Sequence, residues 1–460
     1  MTSVLRCISP IDGSVYAERP CLDPAATETA VKRARLAQAD WARQPLVTRI
    51  ERVQAAVAAL GAMNETVVTE LAWQMGRPVR YGGEFRGVAE RSERMFALAG
   101  DALAPLVVED SDTALRKIER EPHGVLLVIA PWNYPYMTAI NSIVPGLVAG
   151  NAVILKHAAQ TLRVGERLAE AFAGAGLPEG LFQNLALDHA TTTGLITGRR
   201  VDAVNFTGSV AAGQVIERAA AGGFLPLGLE LGGKDPAYVL ADADLDAALD
   251  GLVDAAFFNS GQSCCGIERI YVHQSLYADF LEGAISRAAE YRLGNPLDPE
   301  STLGPMAQAR LAEVVRGQIA EAVAQGAVAH LPAADADDGG AYLGPQVLSS
   351  VTHAMRVMRD ESFGPVVGIL PVADDAEALT LMNDSPYGLT ASLWTSDRER
   401  ALALAARIDT GTVFMNRADY LDPSLCWTGR KDTGRGAALS PLGYHALTRP
   451  KSYHFRGVSQ

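Results

Sequence analysis

Two adjacent cysteines in the second half of the chain could supply a nucleophile. The segment FFNSGQSCCGIER (257–269) places Cys264 and Cys265 after a Gly-Gln turn and before a predicted strand, where a thiol can be exposed. A thiolate there would need an oxyanion donor and a base within reach before it could do covalent chemistry. An internal cysteine is more often a small buried hydrophobic residue. The segment alone therefore leaves both interpretations open.

Two residues upstream could supply the base and the oxyanion donor. Glu230 lies in the apolar, glycine-rich segment LPLGLELGGKDP (225–236), where burial would raise the pKa of its carboxyl toward the value of a general base. Asn133 stands between two prolines in PWNYP (131–135), at the end of an apolar run, and its amide could donate to an oxyanion. A solvated glutamate and a turn or capping asparagine are the alternatives.

The segment NFTGSVAAG (205–213) has the features of a phosphate-binding turn. A strand end, a Gly-Ser pair and the start of a helix turn backbone N–H groups and the helix dipole toward an anion. The segment is not a GxGxxG motif, and a Thr-Gly-Ser turn before a helix is also an ordinary N-cap. It is weak evidence by itself for a dinucleotide site.

The hydrophobic pattern predicts the elements that must position these residues. Residues 25–63 carry apolar side chains at helical spacing, which predicts long amphipathic helices. Short continuous apolar runs follow, each with a helical stretch after it: GVLLVIAPWNYP (124–135), NAVILKHA (151–158) and VDAVNFTGS (201–209). Such runs are typical of parallel strands covered on both faces. We expect a doubly wound α/β domain here.

A second α/β series begins at ERIYVH (268–273) and continues through PQVLSSV (345–351), VVGILPVA (366–373) and GLTASLWTS (388–396). Between its strands, residues 330–345 are acidic and glycine-rich and are predicted to form a surface loop. Residues 106–122 and 444–456 read as extended segments outside both series. An exposed strand of that kind could pair with a partner chain or form a peripheral hairpin. The sequence favours neither.

Composition excludes several function classes. The formal net charge is −13, which opposes binding to nucleic acid or to an anionic membrane. No stretch reaches the roughly 18 apolar residues of a membrane span. The five cysteines form no CxxC pair, metal-site spacing or dense disulfide framework, so we expect no metal and a reducing, cytoplasmic environment.

Taken in order, the motifs resemble those of the aldehyde dehydrogenase superfamily, and the resemblance runs from about residue 8 to 456. It rests on PWN, FTGS with Gly213 four positions after Ser209, ELGGK, GQSC with an arginine five positions after Cys264, ESFGP (361–365) and NDSPYGL (383–389). The 34-residue separation of Glu230 from Cys264 also matches the family spacing. The pattern is most similar to hydrolytic, semialdehyde dehydrogenase-like members.

The resemblance implies an NAD(P)-dependent enzyme that oxidises an aldehyde to a carboxylate. Cys264 would be the nucleophile, Glu230 the base that activates water for thioester hydrolysis, and Asn133 with the Cys264 backbone N–H the oxyanion hole. Cys265 would have no chemical role. Relatives that transfer the acyl group to coenzyme A generally lack this glutamate, so Glu230 favours hydrolysis. The alternatives are a coenzyme A-acylating aldehyde dehydrogenase and an inactive dehydrogenase scaffold used for binding.

The cofactor positions implied by the resemblance are Ile129, Pro131, Trp132, Lys156, Ala159, Gly208, Ser209, Leu231, Glu361 and Phe363. Position 159 is commonly Glu in relatives restricted to NAD, so Ala159 implies tolerance of NADP+. Ser142 stands where many relatives have a lysine. The run DYLDPSLCWTGRKDTGRG (419–436) replaces the usual Pro-Phe-Gly-Gly segment and alters one wall of the substrate entrance.

The resemblance also implies a three-part α/β fold with two doubly wound domains and a protruding β oligomerisation flap. The cofactor-binding domain would comprise residues 1–105, 123–231 and 433–445, the catalytic domain 232–432, and the flap 106–122 and 446–460. A homodimer or homotetramer is expected.

We expect the substrate to be a small or medium aldehyde, and the sequence does not define the group at its far end. Arg417 could pair with a carboxylate, Asp419 and Asp422 could attract an amine, and Trp427 could stack on an aromatic or aliphatic body. A semialdehyde and an aminoaldehyde both remain open.

Overall fold

The structure is a computed structural model that describes residues 3–332 and 340–457. The surface loop expected at 330–345 falls partly on residues 333–339, and the end of the expected flap on 458–460. Those positions lie outside the described residues.

The chain forms α-helices, short 3-10 turns and strands, and in several places two or more elements of one kind follow one another. The α-helices of the described residues are α1 Pro24–Trp41, α2 Leu46–Gly61, α3 Asn64–Met75, α4 Phe85–Leu103, α5 Pro135–Val148, α6 Leu162–Gly174, α7 His189–Thr197, α8 Val210–Ala220, α9 Leu245–Phe257, α10 Tyr277–Ala289, α11 Ala309–Ala324, α12 Asp375–Asn383, α13 Arg398–Ala405 and α14 Ser440–Ala446. The 3-10 turns are Val79–Tyr81, Ala159–Thr161, Phe258–Gly261 and Arg356–Met358.

The strands of the same residues are β1 Val4–Ile8, β2 Val15–Pro20, β3 Leu106–Asp110, β4 Ala114–Pro122, β5 Val125–Ala130, β6 Ala152–His157, β7 Phe182–Asn184, β8 Ala203–Thr207, β9 Leu227–Glu230, β10 Asp235–Val239, β11 Ile267–His273, β12 Val328–Ala329, β13 Gln346–Ser349, β14 Val366–Val372, β15 Tyr387–Gly388, β16 Thr390–Trp394, β17 Thr412–Met415, β18 Arg430–Lys431, β19 Gly434–Arg435 and β20 Thr448–Arg456.

The first large sheet has the order β19-β9-β8-β5-β6-β7, and its pairs are parallel except at the edge strand β19. Every residue of β5 and β6 is buried, as expected for strands covered on both faces. Parallel strands share one carboxyl edge, so the loops after β5, β8 and β9 lie together. Those loops carry Asn133, Ser209 and the segment that follows Glu230.

The second large sheet has the order β12-β13-β14-β11-β10-β16-β17, with β12 antiparallel to β13 and the other pairs parallel. Together the two sheets confirm the predicted α/β class. The chain passes from the first sheet to the second through Leu231–Lys234, directly between Glu230 and β10. Cys264 precedes β11, the central strand of the second sheet.

A third, antiparallel sheet has the order β20-β4-β3 and stands apart from the other two. It contains the two segments that were expected to be extended, with one correction. Residues 444–446, which were expected to be extended, form the end of α14. The final strand therefore begins at Thr448 rather than at 444. Leu106, Val107 and Val108 of this sheet are exposed. The role of this sheet as an oligomerisation flap and the domain boundaries stay predictions.

Among residues 3–332 and 340–457, no helix is both long and apolar enough to cross a membrane.

Candidate active site

A cavity of about 1240 Å³ opens at the carboxyl edge of the first sheet and reaches the loop that carries Cys264. Its wall includes the three predicted catalytic residues, Cys264, Glu230 and Asn133. It also includes every position expected to bind the cofactor: Ile129, Pro131, Trp132, Lys156, Ala159, Gly208, Ser209, Leu231, Glu361 and Phe363. One cavity therefore joins segments that are far apart in the sequence, such as those of Ile129 and Phe363.

The backbone before Cys264 is held in an uncommon conformation. Asn259 and Ser260 have φ values of 54° and 57°, in the left-handed region that residues with a Cβ rarely adopt. Strain of this kind persists where the surroundings over-determine it, as at active sites. Gly261 follows with φ 68°, and a Cβ there would lie 2.3 Å from the carbonyl oxygen of Gly364. This tight turn sets where the two cysteines point.

The two cysteines differ in accessibility. Both cysteines are free and contribute to the cavity wall, but Cys264 is only half-buried. Cys265 is 1% exposed, and its Sγ donates to Oδ1 of Asp419 at 3.0 Å. Burial and the neighbouring Cys264 and Asp419 raise the pKa of the Cys265 thiol, with the hydrogen bond to Cys264 as the largest cause. Cys264 is therefore the more accessible of the two thiols.

Asn133 is held by contacts on both its side chain and its backbone. Its Nδ2 donates to the carbonyl oxygen of Gln262 at 3.2 Å, which ties the amide to the cysteine loop. The backbone carbonyl oxygen of Asn133 accepts from the Arg77 guanidinium at 2.7 Å and from the Asn259 side-chain amide at 3.2 Å. Arg77 is in turn paired with the buried Glu84 at 2.6 Å. The Asn133 amide is thus fixed beside the loop of Cys264, as an oxyanion donor requires.

Glu230 ends β9 and faces the cavity. Burial raises the pKa of its carboxyl from 4.5 to about 7, partly offset by the Thr207 hydroxyl, which donates to Oε2 at 3.3 Å. Its carbonyl oxygen accepts from the Gly208 N–H at 3.0 Å, so the end of β9 is fixed against the turn after β8. A carboxyl with this pKa can accept a proton near neutral pH and release it again.

The Gly208–Ser209 turn fits a phosphate group. Ser209 is the N-cap of α8, and its hydroxyl accepts from the Ala212 N–H at 3.3 Å. The helix therefore presents its N-terminus at the wall of the cavity. Lys156, 8% exposed, lines the same part and makes no ion pair with a described residue. A cationic side chain and a helix N-terminus suit an anionic cofactor.

Glu361 and Phe363, two of the expected cofactor positions, are also held by neighbouring residues. Oε1 of Glu361 accepts from the Gly233 N–H at 3.0 Å, and Phe363 packs edge-on against Trp132 with ring centroids 5.5 Å apart. Phe363 has φ 50°, a further strained position on this wall. Burial raises the pKa of Glu361 to about 7, so its carboxyl can also donate a hydrogen bond near neutral pH.

We expect Gly232→Ala to weaken cofactor binding by about tenfold, or about 1.4 kcal/mol. A Cβ at Gly232 would lie 2.2 Å from Oε2 of Glu361, so the carboxylate would have to move. The measurement is the dissociation constant of NAD(P)+ by quenching of tryptophan fluorescence. Gly317→Ala is the matched control, because a Cβ at Gly317 meets nothing within 4 Å. Unchanged cofactor affinity in Gly232→Ala would show that Glu361 does not hold the cofactor.

Sequence reasoning missed several residues that support this site. Glu268 receives the N–H groups of Ser362 and Phe363, both at 2.9 Å, and pairs with the buried Lys234 of the ELGGK segment. Glu268 thus links the ELGGK segment, which contains Lys234, to the ESFGP segment, which contains Ser362 and Phe363. Of the charged pair, only Lys234 lies in a motif that the sequence analysis used. Arg77, Glu84 and Arg91 were missed altogether, because nothing in their local sequence distinguishes them from surface charges.

Only some of the residues proposed from sequence to bind the substrate line the cavity. Trp427 is buried and lines the cavity, and so does Asp419, whose Oδ1 accepts from Ser263 at 2.6 Å. Arg417 does not line the cavity. It is exposed, with its guanidinium 3.4 Å from the ring centroid of Tyr420. Ser142 is also outside the wall and accepts from the Asn205 amide at 2.9 Å.

Comparison with known proteins agrees with this geometry. Residues 2–453 match the model of the aldehyde dehydrogenase family. The chain belongs to that family. It is 34% identical over 444 residues to the NAD(P)+ succinate semialdehyde dehydrogenase of Escherichia coli strain K12, with 95% of each chain covered. It is 36% identical over 425 residues to a 4,4'-diapolycopene aldehyde oxidase of Methylomonas sp., covering 90% of this chain and 78% of that one.

Solved aldehyde dehydrogenases have the same fold. The succinic semialdehyde dehydrogenase of Streptococcus pyogenes, in complex with NADP+, superimposes with a TM-score of 0.93 at 28% identity, covering 98% of this chain and 100% of that one. The predicted fold class, family, enzyme class and NAD(P)+ cofactor are confirmed. This aldehyde dehydrogenase uses NAD(P)+ to oxidise an aldehyde.

Proposed function

We propose that this aldehyde dehydrogenase works through a thioester on Cys264 that water, activated by Glu230, hydrolyses to a carboxylate. The observation that carries the proposal is the common cavity of Cys264, Asn133 and Glu230, in which the Glu230 carboxyl has a pKa of about 7. A nucleophile, an oxyanion donor and a base of suitable pKa are what acyl transfer to water needs.

The residues act in two stages. The Cys264 thiolate adds to the aldehyde carbon, and the amide of Asn133 with the Cys264 backbone N–H binds the resulting oxyanion. When bound, the nicotinamide would accept the hydride lost from the adduct carbon, and the oxyanion would then become the carbonyl of a thioester on Cys264. Glu230 then takes a proton from water, whose oxygen attacks the thioester carbonyl. The C–S bond breaks, the carboxylate leaves, and Cys264 is free again.

An aldehyde panel assayed with NAD+ and with NADP+ tests this function, with NAD(P)H followed by its near-ultraviolet absorbance. Each reaction is run with and without coenzyme A. We expect NAD(P)H and free carboxylate in equal amounts, with no acceleration by coenzyme A. Acyl-coenzyme A as the product would favour the acylating alternative. The absence of turnover for every aldehyde would favour an inactive scaffold.

We expect Ala159→Glu to shift the ratio of kcat/KM toward NAD+ by about tenfold, or about 1.4 kcal/mol. Ala159 and Lys156 both line the cavity and are three positions apart in the chain, and a residue without a carboxylate at 159 would not repel a 2′-phosphate that pairs with the lysine. Tolerance of NADP+ is therefore proposed for the native enzyme. Ala159→Gln is the control, since it adds the bulk without the charge. A native enzyme at least about a hundredfold selective for NAD+ and unaffected by Ala159→Glu would contradict this reading of the ribose site.

The β20-β4-β3 sheet supports a proposal about assembly. Its edge strand β3 exposes Leu106, Val107 and Val108, an apolar edge of the kind that pairs with another chain. We propose a homodimer or homotetramer formed through this flap.

A further inference from the structure

Arg91 places a guanidinium in the wall of the active-site cavity. It lies on α4 and is 9% exposed, and it lines the cavity beside Met137 and Asn141 of α5. Its Nη1 donates to the Met137 carbonyl oxygen at 3.0 Å and to Oδ1 of Asn141 at 3.3 Å. Both acceptors are neutral. They orient the guanidinium without neutralising its charge.

No described residue forms an ion pair with Arg91. The acidic group with the largest electrostatic effect on it is Glu84, which is already engaged with Arg77 and with the backbone N–H groups of Tyr136 and Met137. A buried charge without a counter-ion is costly, and in folded proteins such charges are normally paired. Burial accordingly lowers the pKa of Arg91.

The other acidic groups near Arg91 do not pair with it either. Oδ1 of Asp419 accepts from Ser263 and Cys265, and burial raises the pKa of this carboxyl. Glu230 forms no ion pair with Arg91, and the effect of the guanidinium on its carboxyl is only to offset in part the rise in pKa that burial causes. No described residue neutralises Arg91 through an ion pair, so its guanidinium is available on the cavity wall to an anionic group of a bound molecule.

We propose that Arg91 binds a carboxylate of the substrate, so that the substrate class is an aldehyde with a carboxylate at its far end. This inference rests on the proposed function, because it assigns the group that the same site selects. A guanidinium suits the task, since its planar donors match the two oxygens of a carboxylate. Arg417, the candidate from sequence, lies outside the cavity wall.

The alternative class, an aldehyde ending in an amine, is disfavoured by the same geometry. Of the two carboxylates considered for an ammonium group, Asp422 does not line the cavity, and Oδ1 of Asp419 already accepts from Ser263 and Cys265. Arg91 acts electrostatically on Asp419 and would repel an ammonium group in the shared cavity. The unpaired guanidinium of Arg91 and the engaged Oδ1 of Asp419 therefore favour an anionic end.

The test compares three aldehydes of matched size: a four-carbon aldehyde with a terminal carboxylate, an uncharged aldehyde of the same shape, and one that ends in an amine. In the native enzyme we expect kcat/KM to be highest for the carboxylate, by about tenfold or more. Arg91→Met should lower that value by about a hundredfold, mainly through KM, and change the value for the uncharged aldehyde only a few-fold. Arg91→Lys should restore part of the loss.

Arg94→Met is the matched control. Arg94 is an exposed arginine one turn further along α4 and does not line the cavity, so the variant should retain the native preference. If Arg91→Met does not fold, inhibition of the native enzyme decides the question. A carboxylate analogue with a methyl group in place of the aldehyde should compete at least about tenfold more tightly than its uncharged counterpart.

Three results would overturn the assignment of Arg91. They are an equal fall in kcat for all three aldehydes in Arg91→Met, a native preference for the amine, and equal inhibition by the charged and uncharged analogues. A native enzyme that oxidises none of the aldehydes would instead contradict the proposed function itself, so the two failures are distinguishable.

Discussion

Cys264→Ser is expected to lower kcat/KM by roughly 10⁴-fold or more for every aldehyde that the native enzyme oxidises, because removal of a covalent nucleophile has effects of that size. A serine hydroxyl at neutral pH is almost fully protonated and is a far weaker nucleophile than a thiolate. Steady-state formation of NAD(P)H measures the loss. Binding of NAD(P)+, followed by fluorescence, should be unchanged, which separates chemistry from folding.

The matched control is Cys265→Ser. Cys265 is buried and donates to Asp419, a hydrogen bond that a serine hydroxyl can also make. We expect this variant to keep most of the native activity. An inactive Cys265→Ser together with an active Cys264→Ser would place the nucleophile one residue later.

Glu230→Gln is expected to lower steady-state turnover by about 10²- to 10⁴-fold, the usual contribution of a general base. The amide has the same shape but cannot accept the proton from water. The first turnover does not need this base, so a rapid burst of NAD(P)H, close to one equivalent per active site, should precede the slow phase. Stopped-flow absorbance measures both phases. Normal turnover in Glu230→Gln would remove this residue from the mechanism.

The pH dependence gives an independent test of the same residue. The pKa of Glu230 is raised from 4.5 to about 7, and the base is the deprotonated carboxylate. Thioester hydrolysis in the native enzyme should therefore accelerate as pH rises through about 7, level off above it, and fall about tenfold per pH unit well below it. The slow phase of Glu230→Gln should lack this inflection.

The fold was predictable from sequence where burial is complete. Every residue of β5 and β6 is buried, and such strands leave continuous apolar runs that a single sequence reveals. The start of the last strand was not predictable in the same way. Pro441 occupies the first turn of α14, and this helix extends through Ala446 into the segment that was expected to be extended.

The site was predictable only where its residues lie in contiguous motifs. Cys264, Glu230 and Asn133 each stand in a recognisable segment, and the cavity brings all three together. Arg91 has no such segment. Its position depends on acceptors 46 and 50 residues away on α5, contacts that local spacing does not encode. Arg417 illustrates the converse, because a charged residue two positions before Asp419, which lines the cavity, is not itself part of the wall.

The central claim is that a thioester forms on Cys264 and is hydrolysed by water that Glu230 activates. Mass spectrometry of Glu230→Gln tests it most directly. The variant is mixed with an aldehyde and NAD(P)+, quenched in acid during the slow phase and digested, and the modified residue is located by fragmentation. The account predicts a peptide heavier by the mass of the aldehyde less two hydrogens, with the added mass on Cys264. An adduct on Cys265, or formation of NAD(P)H with no adduct on either cysteine, would contradict it.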